Sequence, residues 1–129
     1  MKKENFHQEY MLNAGSGRVI WDLISTPTGM ETWFADKVHQ RDKTFCFTWG
    51  KTETREATIS HIRANSFIRF HWDDDTENPK SYFELKMSYN ELTNFYTLEI
   101  TDTSTADTPD ELAELWDSQI EKMRRVSGL

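Results

Sequence analysis

The chain has 129 residues, 36% of them hydrophobic, and a formal charge of −7 at pH 7. It is read as a single domain, 1–129, large enough to bury about two-thirds of its unfolded surface. The acidity excludes a nucleic-acid binder, which needs a basic face against phosphates, and argues against docking on anionic membranes. No apolar run suits a signal peptide or a membrane span, and the lone Cys46 cannot form an internal disulfide, so a reducing, cytoplasmic setting is expected.

Phe6 to Leu12 alternates weakly and reads as a strand that ends at Gly15-Ser16-Gly17. Val19, Ile20, Leu23 and Ile24 then recur at helical spacing, which predicts about two turns of helix. Thr26-Pro27 stops that helix, because the residue before a proline is pushed out of the helical region. A second short helix is expected to start at Thr28, with Glu31 completing a capping box and Met30, Trp33 and Phe34 on one side.

From Lys43 to Thr103 the period is two. Phe45, Phe47 and Trp49 alternate with Thr44, Cys46 and Thr48; Ile68, Phe70 and Trp72 alternate with Phe67, Arg69 and His71. Phe83, Leu85 and Met87 follow the same rule, as do Tyr96, Leu98 and Ile100, and Glu53 to Ala64 reads as a less regular strand. Turns at Gly50-Lys51, Ala64-Asn65, Asp73 to Pro79 and Asn90 to Asn94 make this an antiparallel meander with one wet and one buried face.

Thr108, Pro109 and Glu111 open a final helix whose stripe is Leu112, Leu115, Trp116, Ile120 and Met123. Lys122, Arg124 and Arg125 suit the negative end of its dipole, and Gly128 serves as its stop. The fold class is therefore α+β: six to seven antiparallel strands in a curved sheet, two short helices after the first strand, and a long C-terminal helix. A curved sheet wrapped around that helix leaves a gap lined by rings from both. The gap is either a ligand cavity or a core filled by side chains.

The spacing of Trp21, Pro27, Gly29 and Trp33-Phe34 resembles the W-x5-P-x-G-x3-W-F pattern of the START-like (SRPBCC) superfamily. Within it, the chain resembles the bacterial relatives of the C-terminal domain of the heat-shock ATPase activator. The strands Phe47–Gly50 and Ile68–Trp72 and the tryptophan Trp116 extend the match over nearly the whole chain. The resemblance implies a helix-grip fold with a cavity between sheet and helix, and a small hydrophobic or amphipathic ligand inside it. A chaperone-associated or regulatory module without a ligand is the alternative it implies.

The candidate cavity residues are Trp33, Phe45, Phe47, Trp49, Phe70, Trp72, Phe83 and Leu85 from the first helices and the sheet, Tyr96 from the last strand, and Leu112, Trp116 and Ile120 from the final helix. Tyr10, Tyr96 and Thr48 are candidates to orient a ligand. His7, His39, His61 and His71 lack metal-ligand spacing, and Cys46 has no base beside it in sequence, so no metal, cofactor or catalytic group is assigned. Asp73, Asp74, Asp75 and Glu77 do not follow an EF-hand loop and are expected to form a solvated hairpin tip. No GxSxG, P-loop or GxGxxG motif points to an enzyme.

Overall fold

The computed structural model describes residues 6–103 and 109–129. Its strands are β1 (Phe6–Leu12), β2 (Lys37–Arg41), β3 (Thr44–Trp49), β4 (Glu53–Arg63), β5 (Phe67–Trp72), β6 (Phe83–Asn90) and β7 (Phe95–Asp102). They pair antiparallel in one sheet of order β1-β7-β6-β5-β4-β3-β2. Helices α1 (Gly17–Ser25) and α2 (Pro27–Met30) link the two edge strands, and α3 (Pro109–Ser127) closes the chain.

Alternation sets the buried face. Phe45, Phe47, Ile68, Phe70, Phe83 and Leu85 all point inward and are 0% exposed, as the period-two pattern requires. A register shift between Ile59 and His61 marks a bulge in β4, which bends that strand and explains its irregular sequence. The turns fall where expected, and Asn65 and Asn94 take the left-handed conformation that asparagine tolerates.

β2 was not anticipated. KVHQR buries only Val38, so it carries no alternation of its own; it is an edge strand recruited by pairing with β3. The start of α2 also differs from expectation. Thr26, not Thr28, is its cap, with Oγ1 accepting from the Gly29 amide at 2.9 Å, and Pro27 follows as the first helical residue. Glu31 does not return to a cap; its carboxylate accepts from the Val38 amide and ties α2 to β2. One dipeptide thus ends α1 and begins α2.

The glycine two residues on has a steric reason. A Cβ on Gly29 would lie 1.9 Å from the Asp22 carbonyl oxygen, so only glycine lets α2 fold back against α1. Gly17 is close-packed against side chains only, with an added Cβ 3.0 Å from Met87 Cε and 3.2 Å from Tyr96 Cε1. This seats the start of α1 on β6 and β7.

α3 has 19 residues, about 28 Å of helix at ~1.5 Å per residue. Leu112, Trp116, Ile120 and Met123 are buried, but Leu115 is 47% exposed and leaves the expected stripe. Its position, three residues after Leu112 and one before Trp116, puts it on the shoulder of the apolar face. Gly128 takes φ +70° and the Leu129 amide donates to the Arg124 carbonyl at 3.1 Å, so the helix ends in a Schellman turn. The expected Thr108 cap lies outside the described residues.

α3 is fixed to β1 and to the segment after α2 by polar bonds as well as packing. Tyr10 Oη donates to Asp117 at 2.5 Å, Arg124 donates to the Met11 carbonyl at 2.6 Å, and Gln119 Nε2 donates to the Phe34 carbonyl at 3.0 Å. Burial, then the bond to Asp117, pushes the Tyr10 phenol well above its ordinary value. No helix among the described residues is long and apolar enough to cross a membrane. The architecture is a helix-grip α+β fold.

Candidate functional site

Antiparallel pairing places Trp49, Glu53, Trp72, Phe83 and Asp102 at one end of the sheet. The first half of α3 lies over this end, and between them a cleft of about 510 Å³ opens to solvent. Phe34, Trp49, Trp72, Leu112 and Trp116 form its apolar wall. Glu53, Arg55, Asp102, Ser118, Gln119 and the exposed Leu115 complete it.

The wall is one continuous run of rings. Trp116 and Phe34 are 5.7 Å apart between centroids, Phe34 and Trp49 5.9 Å, and Trp49 and Trp72 6.4 Å. Behind it, Phe34 also meets Trp33, Phe47 and Phe83, and is only 5% exposed. Phe34 comes from the segment after α2, so the α1–α2 hairpin reaches across to build the floor of the cleft.

The polar atoms around the rings are engaged with the protein itself. Trp49 Nε1 donates to the Phe34 carbonyl at 2.9 Å, and Trp116 Nε1 donates to Asp102 Oδ2 at 3.0 Å. Asp102 is 3% exposed, so it enters the cleft as a buried carboxylate bonded to the helix that covers it. Arg55 lies 3.9 Å over the Trp72 ring and donates through Nε and Nη2 to both oxygens of Asp74, each at 2.8 Å.

The acidic tip is exposed as expected, at Asp73, Asp74 and Glu77, and three of its carboxylates are also hydrogen-bonded. Asp74 holds Arg55, Asp73 accepts from Thr58 at 2.8 Å, and Asp75 accepts from the Ser81 hydroxyl. The hydrogen bond from Arg55 holds the Asp74 carboxyl below its ordinary value, against a smaller opposing effect of burial. The hairpin between β5 and β6 thus holds the Arg55 guanidinium beside the cleft through a part-exposed ion pair.

Of the residues expected to line a cavity, Trp49, Trp72, Leu112 and Trp116 stand around this cleft. Trp33, Phe45, Phe47, Phe70, Phe83, Leu85 and Ile120 are 0% exposed and packed in the interior, except that Trp33 is joined by Nε1 to the Leu23 carbonyl at 2.8 Å. Tyr96 sits at the opposite end of the sheet, its ring tilted 59° against that of Tyr89 with centroids 4.9 Å apart. Tyr10 is bonded to Asp117 and Thr48 faces Thr54 on the other side of the sheet, so neither reaches the cleft.

Phe34, Glu53, Arg55, Asp102, Leu115, Ser118 and Gln119 were not anticipated. Trp49 and Glu53 are cross-strand partners flanking the Gly50 turn, which is a signal that could have placed Glu53. Nothing in the local pattern marks Asp102 or Gln119.

Two other hollows are less shaped. One of about 680 Å³ is a shallow groove along α1 and α2, lined by Val19, Leu23 and Thr28. One of about 210 Å³ lies on the outer face between His39, Cys46 and Glu56. Among the described residues, no group of three or more His, Cys, Asp or Glu side chains is placed to hold a metal ion.

A helix gripped by an antiparallel sheet, with an aromatic cleft between them, defines the helix-grip class of folds. The START-like superfamily domain model matches residues 1–129, and the chain belongs to that superfamily. It is 64% identical to the protein BfR322 from Bacteroides fragilis, known from a solution NMR structure, over 100% of this chain and 94% of that one, with a TM-score of 0.68. The Aha1 dimer from Colwellia psychrerythraea matches at 13% identity over 95% of this chain and 96% of that one, with a TM-score of 0.75. The AHSA1-like protein from Aeromonas hydrophila matches at 13% identity over 95% and 91%, with a TM-score of 0.72. The last two show a shared fold. No curated protein matches the chain.

Proposed function

We propose that the protein is a binding domain that takes one small amphipathic molecule in the cleft between α3 and the Trp49–Trp72 end of the sheet. The observation that carries this reading is the cleft of about 510 Å³ backed by the aromatic run Trp116–Phe34–Trp49–Trp72, of which Trp49 is the part-exposed member, with the polar residues Glu53, Ser118 and Gln119 along its border. Rings in an open cleft give contact area at little entropic cost, and a polar border keeps a head group in water. About 510 Å³ suits a molecule of drug-like size rather than a long lipid chain.

The ligand would gain roughly 25 cal/mol per Å² of apolar surface removed from water, less the cost of association. Family membership supports the same reading. A cytoplasmic setting belongs to it on the strength of the free thiol at Cys46. The regulatory alternative, an interaction module of the heat-shock ATPase activator kind, draws only on fold likeness at 13% identity.

Native mass spectrometry of freshly purified protein, followed by thermal shift against amphipathic compounds, tests the proposal. Ser118 is exposed on α3 and lines the cleft, so Ser118→Trp should fill it with a stability change within about 0.5 kcal/mol. Stabilisation of the wild type that disappears in Ser118→Trp is the expected result. A wild type that neither carries nor responds to any compound would remove the reading.

A further inference from the structure

We propose that the outer row of β2 is a docking strip for an extended acidic segment of a partner protein. The inference is independent of the cleft, whose lining contains no residue of β2.

Charge in this chain is segregated. Residues 37–69 hold seven Lys and Arg against three Asp and Glu, a net of +4, so the rest of the chain carries −11 to reach the total of −7. β2 brings that surplus to the rim of the sheet, because it ends the strand order and pairs only with β3. Lys37, His39 and Arg41 alternate along it on the face away from the core, all exposed, and Lys43 follows just past the turn at Asp42.

The protein itself makes little use of these side chains. Among the described residues, no ion pair or side-chain hydrogen bond engages Lys37, His39 or Lys43. Arg41 has one loose contact, 3.9 Å from Glu56, with the two side chains 82% and 44% exposed.

The backbone at the rim can also take a partner. The Val38 amide points away from β3, since it donates to Glu31. By the alternation of an antiparallel pair, the Gln40 amide and carbonyl point the same way, and Gln40 is exposed. A strand added there bonds to Gln40 and sets its alternate side chains opposite Lys37, His39 and Arg41. Those three stand ~6.8 Å apart, two residues of strand, which is also the spacing of side chains on the incoming chain. Carboxylates at that spacing make cross-strand pairs of opposite charge.

The width of the strip selects the partner. Its neighbours on β3 are the uncharged Thr48, Cys46 and Thr44, and beyond Cys46 on β4 stands Glu56. The basic surface is therefore one strand wide and fits a single extended chain. A nucleic acid or an anionic bilayer is broader and meets the acidic remainder of the protein. A second copy fits worse. β2 against β2, antiparallel and centred on His39, sets Lys37 against Arg41 and His39 against His39.

Three peptides of about nine residues test the inference: Glu alternating with Thr or Val, its Gln-for-Glu analogue, and the same composition with the Glu residues in one block. Binding is followed by amide NMR shifts of the labelled protein at low and high salt. The alternating Glu peptide should bind about tenfold more tightly than the Gln analogue and about threefold more tightly than the block peptide, both margins shrinking with salt. The Gln40 amide should shift and gain protection from hydrogen exchange. Lys37→Gln combined with Arg41→Gln, both at exposed positions, should leave Tm unchanged and remove most of the preference. Glu56→Gln, which withdraws the carboxylate competing for Arg41, should tighten the Glu peptide by about twofold.

A Gln analogue or block peptide that binds as well as the alternating Glu peptide would overturn the assignment, as would no binding by any of the three. Short single-stranded DNA or phosphatidylserine vesicles that shift the β2 amides more strongly than the Glu peptide would overturn the choice of partner.

Discussion

The two ends of the sheet use the same materials for different results. At the end where α1 sits, Gly17 presses on Met87 and Tyr96, Ile20 and Ile24 are 0% exposed, and the interior is solid. At the other end, Trp49 and Trp72 are the last residues of their strands and have α3 rather than a second helix layer above them. Both ends follow the same period-two pattern with large side chains facing in. Alternation decides which face a ring occupies; the element that lies above it decides whether the space is filled.

Variants on either side sharpen that contrast. The largest effect is expected for Phe83→Ala, because Phe83 is 0% exposed and packs on Phe34, Phe70, Trp72 and Trp116 where the solid core meets the cleft. It should cost about 3–5 kcal/mol in a urea titration. A loss below ~1 kcal/mol would show that this junction is already loose.

Gly29→Ala comes next. The added methyl would collide with the Asp22 carbonyl oxygen at the α1–α2 hairpin, and the backbone must shift to relieve it. A loss of about 3 kcal/mol is expected, at the upper end for overpacking. A neutral result would mean the hairpin adapts, and Phe34 with it.

Trp116→Phe keeps the ring but withdraws the donor that Asp102 Oδ2 accepts. A loss of about 1–3 kcal/mol should appear, without collapse of the fold. The smallest effect belongs to Asp74→Asn. Side chains of Arg55 and Asp74 are 29% and 57% exposed, so breaking their fork should cost less than about 1 kcal/mol, while fluorescence of Trp72 changes as Arg55 leaves its ring.

The pH dependence of that pair has a definite sign. The folded carboxyl of Asp74 titrates below its ordinary value of 3.8, so its stabilisation is complete above that value. It fades as pH falls through the folded pKa. Acid denaturation of Asp74→Asn should lack this component, with a shallower fall below about pH 4.

Much of this was legible in the sequence, for reasons that differ by element. Strand faces from Phe45 to Ile100 could be read because one-sided burial imposes strict alternation. The two-helix corner could be read because Pro27 and Gly29 leave the backbone few choices. β2 could not, since an edge strand whose only buried residue is Val38 leaves no periodic trace. The cap of α2 was misplaced because Thr26 and Thr28 both offer a hydroxyl, and only the tight return of Gly29 onto Asp22 selects Thr26.

The cleft was half legible. Trp49, Trp72, Leu112 and Trp116 follow from pattern, but seven other residues expected beside them went into the core, since pattern gives facing and not filling. Asp102 and Gln119 matter through partners far along the chain, Trp116 and the Phe34 carbonyl. Arg55 is defined by Asp74, 19 residues away, across a hairpin that composition marks as solvated.

Indole N–H resonances give the most direct measurement of the central claim, because the tryptophans divide between the two regions. Trp49 and Trp116 belong to the cleft, and Trp33 is sealed in the interior with its N–H on the Leu23 carbonyl. On titration with an amphipathic compound that stabilises the wild type, the Trp49 and Trp116 signals should move together and saturate while Trp33 stays still. Movement of Trp33 with the other two still, or no saturable movement of any of the three, would contradict the placement of a binding site at the open end of the sheet.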